Sequence, residues 1–419
     1  MTNTSDTSSQ VLRADPDRLW QTLMDISSFG ATEQGGLDRL TLSQADFDAR
    51  DYLIEQARED NYSVSVDPIG NLFITRKGSD PDLAPILVGS HIDSQPAGGR
   101  FDGTYGVIGA LEALRALDDH GVVTRRTIVL VDWTNEEGAR YSPSMLGSQV
   151  FAGKLTVDEA LDVTDSEGIS VRKALGGWQP QLRATDYRVT DFAAAFELHI
   201  EQGPALEDLG TDIGVVTGVQ GIRWVDIAIN GRGGHAGTTP HSARYDALVA
   251  ASELVLAVDE LPSAISPDLR ATAGRLLIHP GSRNSIPGRV SVEVDLRHPE
   301  PAVLDRAIDL LSGACARVSQ RRGVEVQINE QLSQLPVSFD PGVLSHIELA
   351  ISRLGLTGKH MASGAGHDSM QLAPHIPTAM IFIPCVGGIS HDEAEDISPE
   401  WAANGVTVLL NALERAANQ

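Results

Sequence analysis

The chain has 419 residues, of which 42% are hydrophobic, so it is long enough for a large domain and a smaller one, each with its own core. Its 57 acidic and 32 basic residues give a formal net charge of −25. This charge opposes binding to nucleic-acid phosphates and to anionic membrane surfaces, so nucleic-acid and membrane partners are not expected. Such acidity also suits a salt-rich habitat, which composition alone does not separate from ordinary solubility.

Two further features bear on the cellular compartment. The first twenty residues lack a basic start followed by an apolar run, and no apolar stretch reaches the ~18 residues of a membrane span. The two cysteines, Cys315 and Cys385, do not form a Cys-x-x-Cys pair, so a disulfide scaffold or a thiolate zinc site is not supported. We therefore expect a cytoplasmic protein.

The first half of the chain reads as alternating strands and helices. Apolar runs at 84–93 and 126–138 end in polar residues and predict buried strands, and the segment between them, "YGVIGALEALRALDDHG", has helical spacing. Strand, helix and strand together predict a parallel sheet, whose reactive groups gather beyond the carboxyl ends of the strands. Segments 193–203 and 377–388 repeat the pattern, so four strand ends can share one cleft.

Residues 215–332 have a different pattern, with alternating strands and two helical segments at 241–259 and 301–318. They predict an inserted α+β domain, in which two helices cover one face of an antiparallel sheet. Residues 1–214 and 333–419 would then form an α/β domain with a mostly parallel sheet and helices on both faces. The glycines of "LEDLGTDIG" are the predicted hinge.

Potential metal ligands follow the predicted strands. Taken singly, each histidine could be a hydrogen-bonded structural residue, the aspartate a turn residue, and the paired glutamates a solvated loop or a helix start. Their coincidence at separate strand ends favours a metal site. Nitrogen and oxygen donors suit zinc, manganese, cobalt or nickel, and two ions sharing one carboxylate would use them all. The candidates are His91, Asp102, Glu136, Glu137, His199 and His391.

Six segments together resemble the N-carbamoyl-L-amino-acid amidohydrolases. This branch of the two-metal aminoacylase and carboxypeptidase superfamily also holds β-ureidopropionases and allantoate amidohydrolases. The segments occur in the family's order, from about residue 20 to the C-terminus: "GSHIDSQPAGGRFDGTYGV", "WTNEEGARYSPSMLGS", "ELHIEQGPALE", "GRGGHAGTTP", "NSIPGRVSVEVDLRHP" and "GAGHDSMQLA".

The resemblance implies a zinc-peptidase-like catalytic domain, an inserted lid and dimerisation domain, and a homodimer. It implies hydrolysis of the ureido C–N bond of an N-carbamoyl-L-amino acid, or of N-carbamoyl-β-alanine, with release of the amino acid, carbon dioxide and ammonia. His91 and His199 would bind one divalent ion, Glu137 and His391 the other, and Asp102 would bridge both. The two ions would lower the pKa of a shared water and polarise the ureido carbonyl.

The resemblance also assigns the proton transfer and the oxyanion contact. Glu136 would take a proton from the water and pass it to the leaving nitrogen, which requires a carboxylate near the ions but not bound to them. His235, among the glycines of "GRGGHAGTTP", would stabilise the tetrahedral oxyanion, often from the other subunit of a dimer. From the residues alone, a hydrogen-bonded loop histidine is the favoured interpretation of His235.

Four further residues match substrate-contacting positions of the family. Asn284 and Arg297 would hold the substrate carboxylate, for which the planar fork of arginine is suited, although a surface ion pair is a common fate for arginine. Gln202 and Gly366 match other substrate contacts. Trp224 stands where the allantoate branch tends to carry a second arginine, which favours a carbamoyl amino acid as substrate.

Alternatives from other classes remain at this point. The chain could act on allantoate or ureidoglycolate, or could be an aminoacylase or dipeptidase on the same fold. It could also be a non-catalytic binding protein. The presence of Glu136 beside all five ligand candidates counts against the last alternative, because a binding protein has no need of a proton shuttle.

Overall fold

The computed structural model describes residues 11–178 and 180–419. The chain forms two compact units. The main unit comprises Met1–Gly218 and Ser338–Gln419, and the inserted unit comprises Val219–Val337. Among the described residues, none of the helices combines the length and the apolar character needed to cross a bilayer.

The secondary structure of the described residues contains both long and short elements. The helices are α1 (Pro16–Ile26), α2 (Gln44–Glu59), α3 (Thr104–Asp119), α4 (Leu146–Phe151), α5 (Val157–Leu161), α6 (Val171–Leu175), α7 (Ala205–Leu209), α8 (Ala247–Asp259), α9 (Leu261–Ile265), α10 (Pro301–Arg322), α11 (Pro341–Leu354), α12 (Ser369–Leu372) and α13 (Pro399–Asn418). The strands are β1 (Ser63–Val66), β2 (Leu72–Arg76), β3 (Ile86–His91), β4 (Ile128–Trp133), β5 (Arg183–Ala184), β6 (Ala194–Ile200), β7 (Ile213–Val219), β8 (Gly221–Asn230), β9 (Gly234–His235), β10 (Arg270–His279), β11 (Ser285–Ile286), β12 (Arg289–His298), β13 (Glu325–Gln334), β14 (Val337–Ser338), β15 (Gly358–Ser363) and β16 (Thr378–Ile383).

A large mixed sheet organises the main unit, in the order β14-β7-β16-β6-β3-β4-β2-β1-β5, with β15 also paired to β7. The four central strands, β16, β6, β3 and β4, are parallel, and antiparallel strands flank them on both sides. These four strands are buried along their whole length, as their continuous apolar runs require. Their carboxyl ends therefore lie side by side at one edge of the sheet.

Helices cover both faces of this sheet, as expected for the α/β class. Helix α3 is buried from Thr104 to Leu117 because it packs between β3, β6 and the helices α1 and α13. The short helices α4 and α12 contact each other and pack on β4, β6 and β16. The aromatic rings of Phe73, Trp133, Phe151 and Phe192 fill this second layer. The predicted fold class is confirmed.

The inserted unit is an antiparallel sheet with one covered face. Its strands have the order β10-β12-β8-β13, and helices α8 and α10 pack together and on the sheet, with the short α9 beside them. Alternate residues of β8 and β12 point into the core, including Val225, Ile227 and Val292, and the intervening residues form the open face. A short pair of strands, β9 and β11, continues the β8–β12 ladder.

Several predictions for residues 206–259 need correction. "LEDLGTDIG" is not the hinge, because it forms the end of α7 and the start of β7, which pairs with β16 in the large sheet. The predicted insertion begins at residue 215, but residues 215–218 belong to a strand of the large sheet, because alternation alone does not reveal which sheet a strand joins. Helix α8 starts at Ala247 rather than at 241, because Asp246 caps it by accepting hydrogen bonds from Leu248 and Val249.

Candidate metal centre

The carboxyl ends of the four central strands carry the candidate metal ligands of the main unit. His91 is the last residue of β3, and His199 is the penultimate residue of β6. The loop after β4 contains Glu136 and Glu137, and the loop after β16 contains His391. Because the four strands are parallel neighbours, these side chains converge at one edge of the sheet, as the strand pattern predicted.

The structure brings the ligand candidates into two groups that share one carboxylate. His91, Asp102 and His199 form one group, and Asp102, Glu137 and His391 form the other, with the potential ligand atoms of each group within 4.8 Å of one another. Asp102 Oδ1 lies 3.0 Å from Nε2 of His199 and 3.7 Å from Nε2 of His91. Its other oxygen, Oδ2, lies 3.3 Å from Nε2 of His391. Asp102 is therefore the carboxylate that the two groups share.

The buried histidines are oriented by backbone carbonyls. Nδ1 of His91 lies 2.9 Å from the Asp93 carbonyl, and Nδ1 of His199 lies 2.9 Å from the Ile200 carbonyl. Since a carbonyl only accepts, each Nδ1–H donates, and each Nε2 faces the cluster as ligand nitrogens do in metal sites. Gly103 is required beside His91, because a Cβ there would lie 2.3 Å from the His91 ring, and its φ of +61° also favours glycine.

The adjacent glutamates face different groups. Asp93 holds their backbone, because Oδ1 accepts a hydrogen bond from the Glu136 amide at 3.1 Å and Oδ2 one from the Glu137 amide at 3.4 Å. Glu136 Oε2 lies 3.5 Å from His91 Nε2, whereas Glu137 Oε2 lies 3.6 Å from His391 Nε2 and accepts a bond from Gln95. Glu136 therefore lies beside the group that contains His91, and Glu137 lies beside His391.

The charge distribution of the cluster fits divalent cations. The ion pairs of Asp102, Glu136 and Glu137 within the described chain are all to histidines. Burial raises the pKa of Glu136 well above its usual range, and the negative charges of Asp368 and Glu137 raise it further. Buried carboxylates so crowded are costly unless positive charge compensates them.

Protonated histidines can supply part of that charge. Burial is the largest single influence and disfavours the charged His199 imidazole, but the hydrogen bond to Asp102 and the negative charges of Asp102 and Glu197 together raise the pKa of His199 to about 9. The hydrogen bond to Asp102 likewise raises the pKa of His391 to about 9. A cation between these nitrogen and oxygen atoms would replace the protons, so the donor set fits the predicted ions.

Gln202 and Gly366 both lie in the main unit, near the cluster. Gln202 has a φ of +57°, and its Nε2 donates to Asp102 Oδ2 at 2.8 Å, so it is adjacent to the shared carboxylate. Gly366 precedes His367, and a Cβ at Gly366 would lie 3.2 Å from Met145 Cε. Their roles as substrate contacts stay predictions.

Buried polar residues that the sequence interpretation did not include surround the cluster. The His367 ring packs edge-on at 4.6 Å from the His199 ring, and its Nε2 lies 2.8 Å from Ser363 Oγ. Glu395 accepts hydrogen bonds from backbone amides in the Asp102 loop. Asp93 also belongs to these surrounding residues, and its position could be noticed in the sequence, because it follows His91 in a His-x-Asp sequence at a strand end.

The candidates of the inserted unit do not form one cluster. His235 and Asn284 are close, because Ser285 pairs with His235, and the Asn284 carbonyl accepts from the Ala236 amide. Arg297 is at the other end of β12, eight residues beyond Arg289. At ~3.3 Å per residue, roughly 26 Å separates the Cα atoms of Arg289 and Arg297, and the strand pair with His235 lies beyond Arg289.

Arg297 is held on the open face of the sheet by an acidic neighbour. Its Nε and Nη2 donate to Asp295 at 3.0 and 2.9 Å, and Asp295 also accepts a hydrogen bond from Trp224 Nε1 at 3.0 Å. The Asp295 pair is a partly exposed ion pair, with both side chains 31% exposed. A role of Arg297 in binding substrate stays a prediction.

The fold and the cluster are those of a hydrolase, and comparisons with known proteins identify its family. The model of peptidase family M20/M25/M40 matches residues 87–415. The N-carbamoyl-L-amino-acid amidohydrolase of Rhizobium meliloti is 41% identical over 407 residues, which is 97% of each chain. The ureidoglycolate hydrolase of Oryza sativa is 37% identical over 413 residues, 97% of this chain and 85% of that protein.

Among solved structures, an amidase of the hydantoinase/carbamoylase family from Burkholderia multivorans has a TM-score of 0.93 and 44% identity, covering 98% of this chain and 100% of that one. The chain therefore belongs to peptidase family M20/M25/M40. It is an amidohydrolase, which removes the non-catalytic alternative, and the resemblance to the carbamoylase branch is confirmed.

Proposed function

We propose that this protein hydrolyses the ureido C–N bond of N-carbamoyl-L-amino acids, or of N-carbamoyl-β-alanine, releasing the amino acid, carbon dioxide and ammonia. The observation that carries the proposal is the double cluster around Asp102, with Glu136 beside it. The names of the similar amidohydrolases support the substrate class.

Two divalent ions, zinc or else manganese, cobalt or nickel, are proposed as the cofactors. His91 and His199 would hold one ion, Glu137 and His391 the other, and Asp102 both. When bound, such a pair of ions supplies a water of lowered pKa and an electrophile for the ureido carbonyl. The oxygen and imidazole donors suit these metals, and availability in the cell decides between them.

Glu136 is proposed as the proton carrier. Its carboxylate is nearly buried and lies 3.5 Å from His91 Nε2, so it is close to the ligand set without belonging to either group. Because burial and neighbouring acids raise its pKa, it can hold the proton that it takes from the attacking water and then deliver it to the leaving nitrogen.

His235, Asn284 and Arg297 are proposed to bind the substrate, with His235 stabilising the oxyanion and the other two holding the carboxylate. A carbamoyl amino acid spans only a few bonds, whereas His235 and Asn284 lie beyond one end of β12 and Arg297 lies at the other. One copy of the inserted unit cannot present both ends to one small substrate. A homodimer, in which two copies contribute to each site, removes this conflict.

The edge strand β10 is proposed as the dimer contact, with the inserted unit acting as the dimerisation domain. It pairs only with β12 among the described strands, and it carries three consecutive exposed apolar residues, Leu276, Leu277 and Ile278, which are 41%, 48% and 38% exposed. An edge strand with unpaired backbone groups and exposed apolar side chains favours pairing with another chain.

Ureidoglycolate or allantoate hydrolysis is the second candidate, because the ureidoglycolate hydrolase of Oryza sativa is similar over nearly the whole chain. Against allantoate, which carries two ureido groups, the position of Trp224 has no cation for the second group, and Arg223 points to the covered face, where it pairs with Asp305 of α10. The carbamoyl amino acid interpretation is therefore preferred to allantoate, and the names of three similar amidohydrolases favour it over ureidoglycolate.

A substrate panel tests the proposal. Ammonia release would be measured for zinc- and manganese-loaded protein with N-carbamoyl-L-amino acids, N-carbamoyl-β-alanine, ureidoglycolate and allantoate, and amino acid release with N-acetyl amino acids and dipeptides. We expect the highest kcat/KM on a carbamoyl amino acid. Faster turnover of ureidoglycolate or allantoate would select the second candidate, and cleavage of acyl or peptide substrates alone would indicate an aminoacylase or dipeptidase.

A further inference from the structure

Glu395 is a buried carboxylate to which the proposed mechanism gives no task. It lies in the loop after β16, four residues beyond His391, and is 2% exposed. A carboxylate is costly to bury unless its oxygens accept hydrogen bonds or face positive charge, so its partners indicate what it does.

Its two oxygens contact two different ligand loops. Oε1 accepts hydrogen bonds from the backbone amides of Phe101 and Asp102, at 3.1 and 3.0 Å. Oε2 accepts a hydrogen bond from Ser390 Oγ at 3.0 Å, and Ser390 directly precedes His391. One carboxylate therefore joins the backbone of the shared ligand to the loop that carries His391.

The surrounding chain is shaped to admit this carboxylate. A Cβ at Gly99 would lie 2.0 Å from Glu395 Cδ, so only glycine lets the Asp102 loop pass so close. Ser390 adds a second link, since its Oγ also lies 3.2 Å from Asp102 Oδ2. The contact is thus direct and tightly packed on both sides.

The two ligand groups differ in how much they need such a link. His91 and His199 are buried at the ends of strands, where backbone carbonyls orient both rings. His391 instead lies on a loop, with a φ of +56° and a side chain that is 50% exposed. A non-glycine residue in this conformation persists only where its surroundings hold it.

We propose that Glu395 is a positioning residue that sets the distance between Asp102 and His391 and so determines the affinity of the second ion, the one that Glu137 and His391 hold. The inference rests on the two-ion site of the proposed function. Removing the link should release His391 and weaken the second ion, while the strand-borne histidines retain the first.

Metal content and affinity test the proposal without relying on turnover. Purified Glu395→Gln and Ser390→Ala would be titrated with Zn²⁺ against a competing chelator, with elemental analysis of the desalted protein. Glu395→Gln keeps one acceptor oxygen but loses the charge, and Ser390→Ala removes the hydroxyl that contacts both Glu395 and Asp102. We expect both to bind the first ion as the unchanged protein does and the second ion about 10- to 100-fold more weakly.

Glu112→Gln is the matched control. Glu112 is 1% exposed and accepts bonds from the Asp15 amide and from Arg18, so its loss also disturbs a buried carboxylate, but it contacts no proposed ligand. It should retain both ions at unchanged affinity, and melting curves would compare the stability of the variants.

Three outcomes would overturn the proposal. Unchanged affinity for the second ion in Glu395→Gln would show that the link is dispensable. Equal weakening of both ions, or the same loss in Glu112→Gln, would show a general loss of stability instead of positioning. If the unchanged protein bound fewer than two ions, the two-ion site itself would be wrong, a result separable from failure of the Glu395 role.

Discussion

The metal cluster of the main unit and the candidate substrate residues of the inserted unit are organised in opposite ways. The cluster is assembled from strand ends and loops of one chain, around one shared, buried carboxylate. His235 is exposed, Arg297 is partly exposed, and the two lie at opposite ends of one ladder of strands. This contrast underlies our proposal that one chain builds the reactive centre and that recognition of the substrate calls for a second copy.

The largest effect should come from Asp102→Ala, which removes the one carboxylate common to both ligand groups. We expect loss of both ions and of all measurable turnover, because neither remaining set offers three ligands with the shared oxygen. Elemental analysis of the purified variant would measure this. A normal metal content would contradict the shared position of Asp102, and circular dichroism would establish that the variant is folded.

Glu136→Gln should separate proton transfer from metal binding. The amide has nearly the same shape but cannot carry the proton, and Glu136 belongs to neither ligand group. We expect both ions to remain and kcat to fall by about 10²- to 10⁴-fold. If this variant lost an ion while Glu137→Gln kept both, the roles of the two adjacent glutamates would be exchanged.

The difference between the two regions also explains what the sequence could predict. The four central strands were recognisable because each is a continuous apolar run that ends in polar residues. The ligand candidates lie at the ends of these strands or in the loops that follow them. The neighbours of each strand depend on pairing between distant segments, so the place of β7 in the large sheet was missed. Strand β13 was missed as well, because its glutamate and glutamine residues weaken the pattern of alternation.

Within the candidate site, the sequence motifs predicted the candidate ion ligands but not the residues that orient those ligands. His367 and Glu395 became visible only when the fold placed their side chains against the ligands. Likewise, the family resemblance predicts that Asn284 and Arg297 bind one carboxylate, but only the register of β12 shows how far apart they lie in one copy.

Substitutions on β10 test whether the site requires a second copy of the chain. A Leu276→Lys/Leu277→Lys double variant places two charges on the edge strand, which should prevent pairing with another chain. Sedimentation should show a monomer, and activity should fall by about a hundredfold as the oxyanion contact from the partner is lost. Val249→Lys, which changes an exposed apolar residue on α8, is the control and should stay dimeric. A fully active monomer would contradict the composite site.

Arg297→Lys should have the smallest effect and tests recognition of the substrate carboxylate. Lysine keeps the positive charge but loses the fork, whose Nε and Nη2 are held by Asp295 in this structure. A charge-assisted hydrogen bond contributes roughly 1.5 to 3 kcal/mol, so kcat/KM for a carbamoyl amino acid should fall by about ten- to a hundredfold. Metal content should be unchanged.

The matching neutral compound, a carbamoyl amino acid amide, separates binding from stability. It should be a poor substrate of the unchanged protein and be almost unaffected by Arg297→Lys, because it has no carboxylate for the fork to hold. Equal losses on the acid and the amide would mean that Arg297 serves the inserted unit through its pair with Asp295. Recognition of the carboxylate would then have to come from elsewhere, and the two regions would no longer divide the work between reaction and recognition.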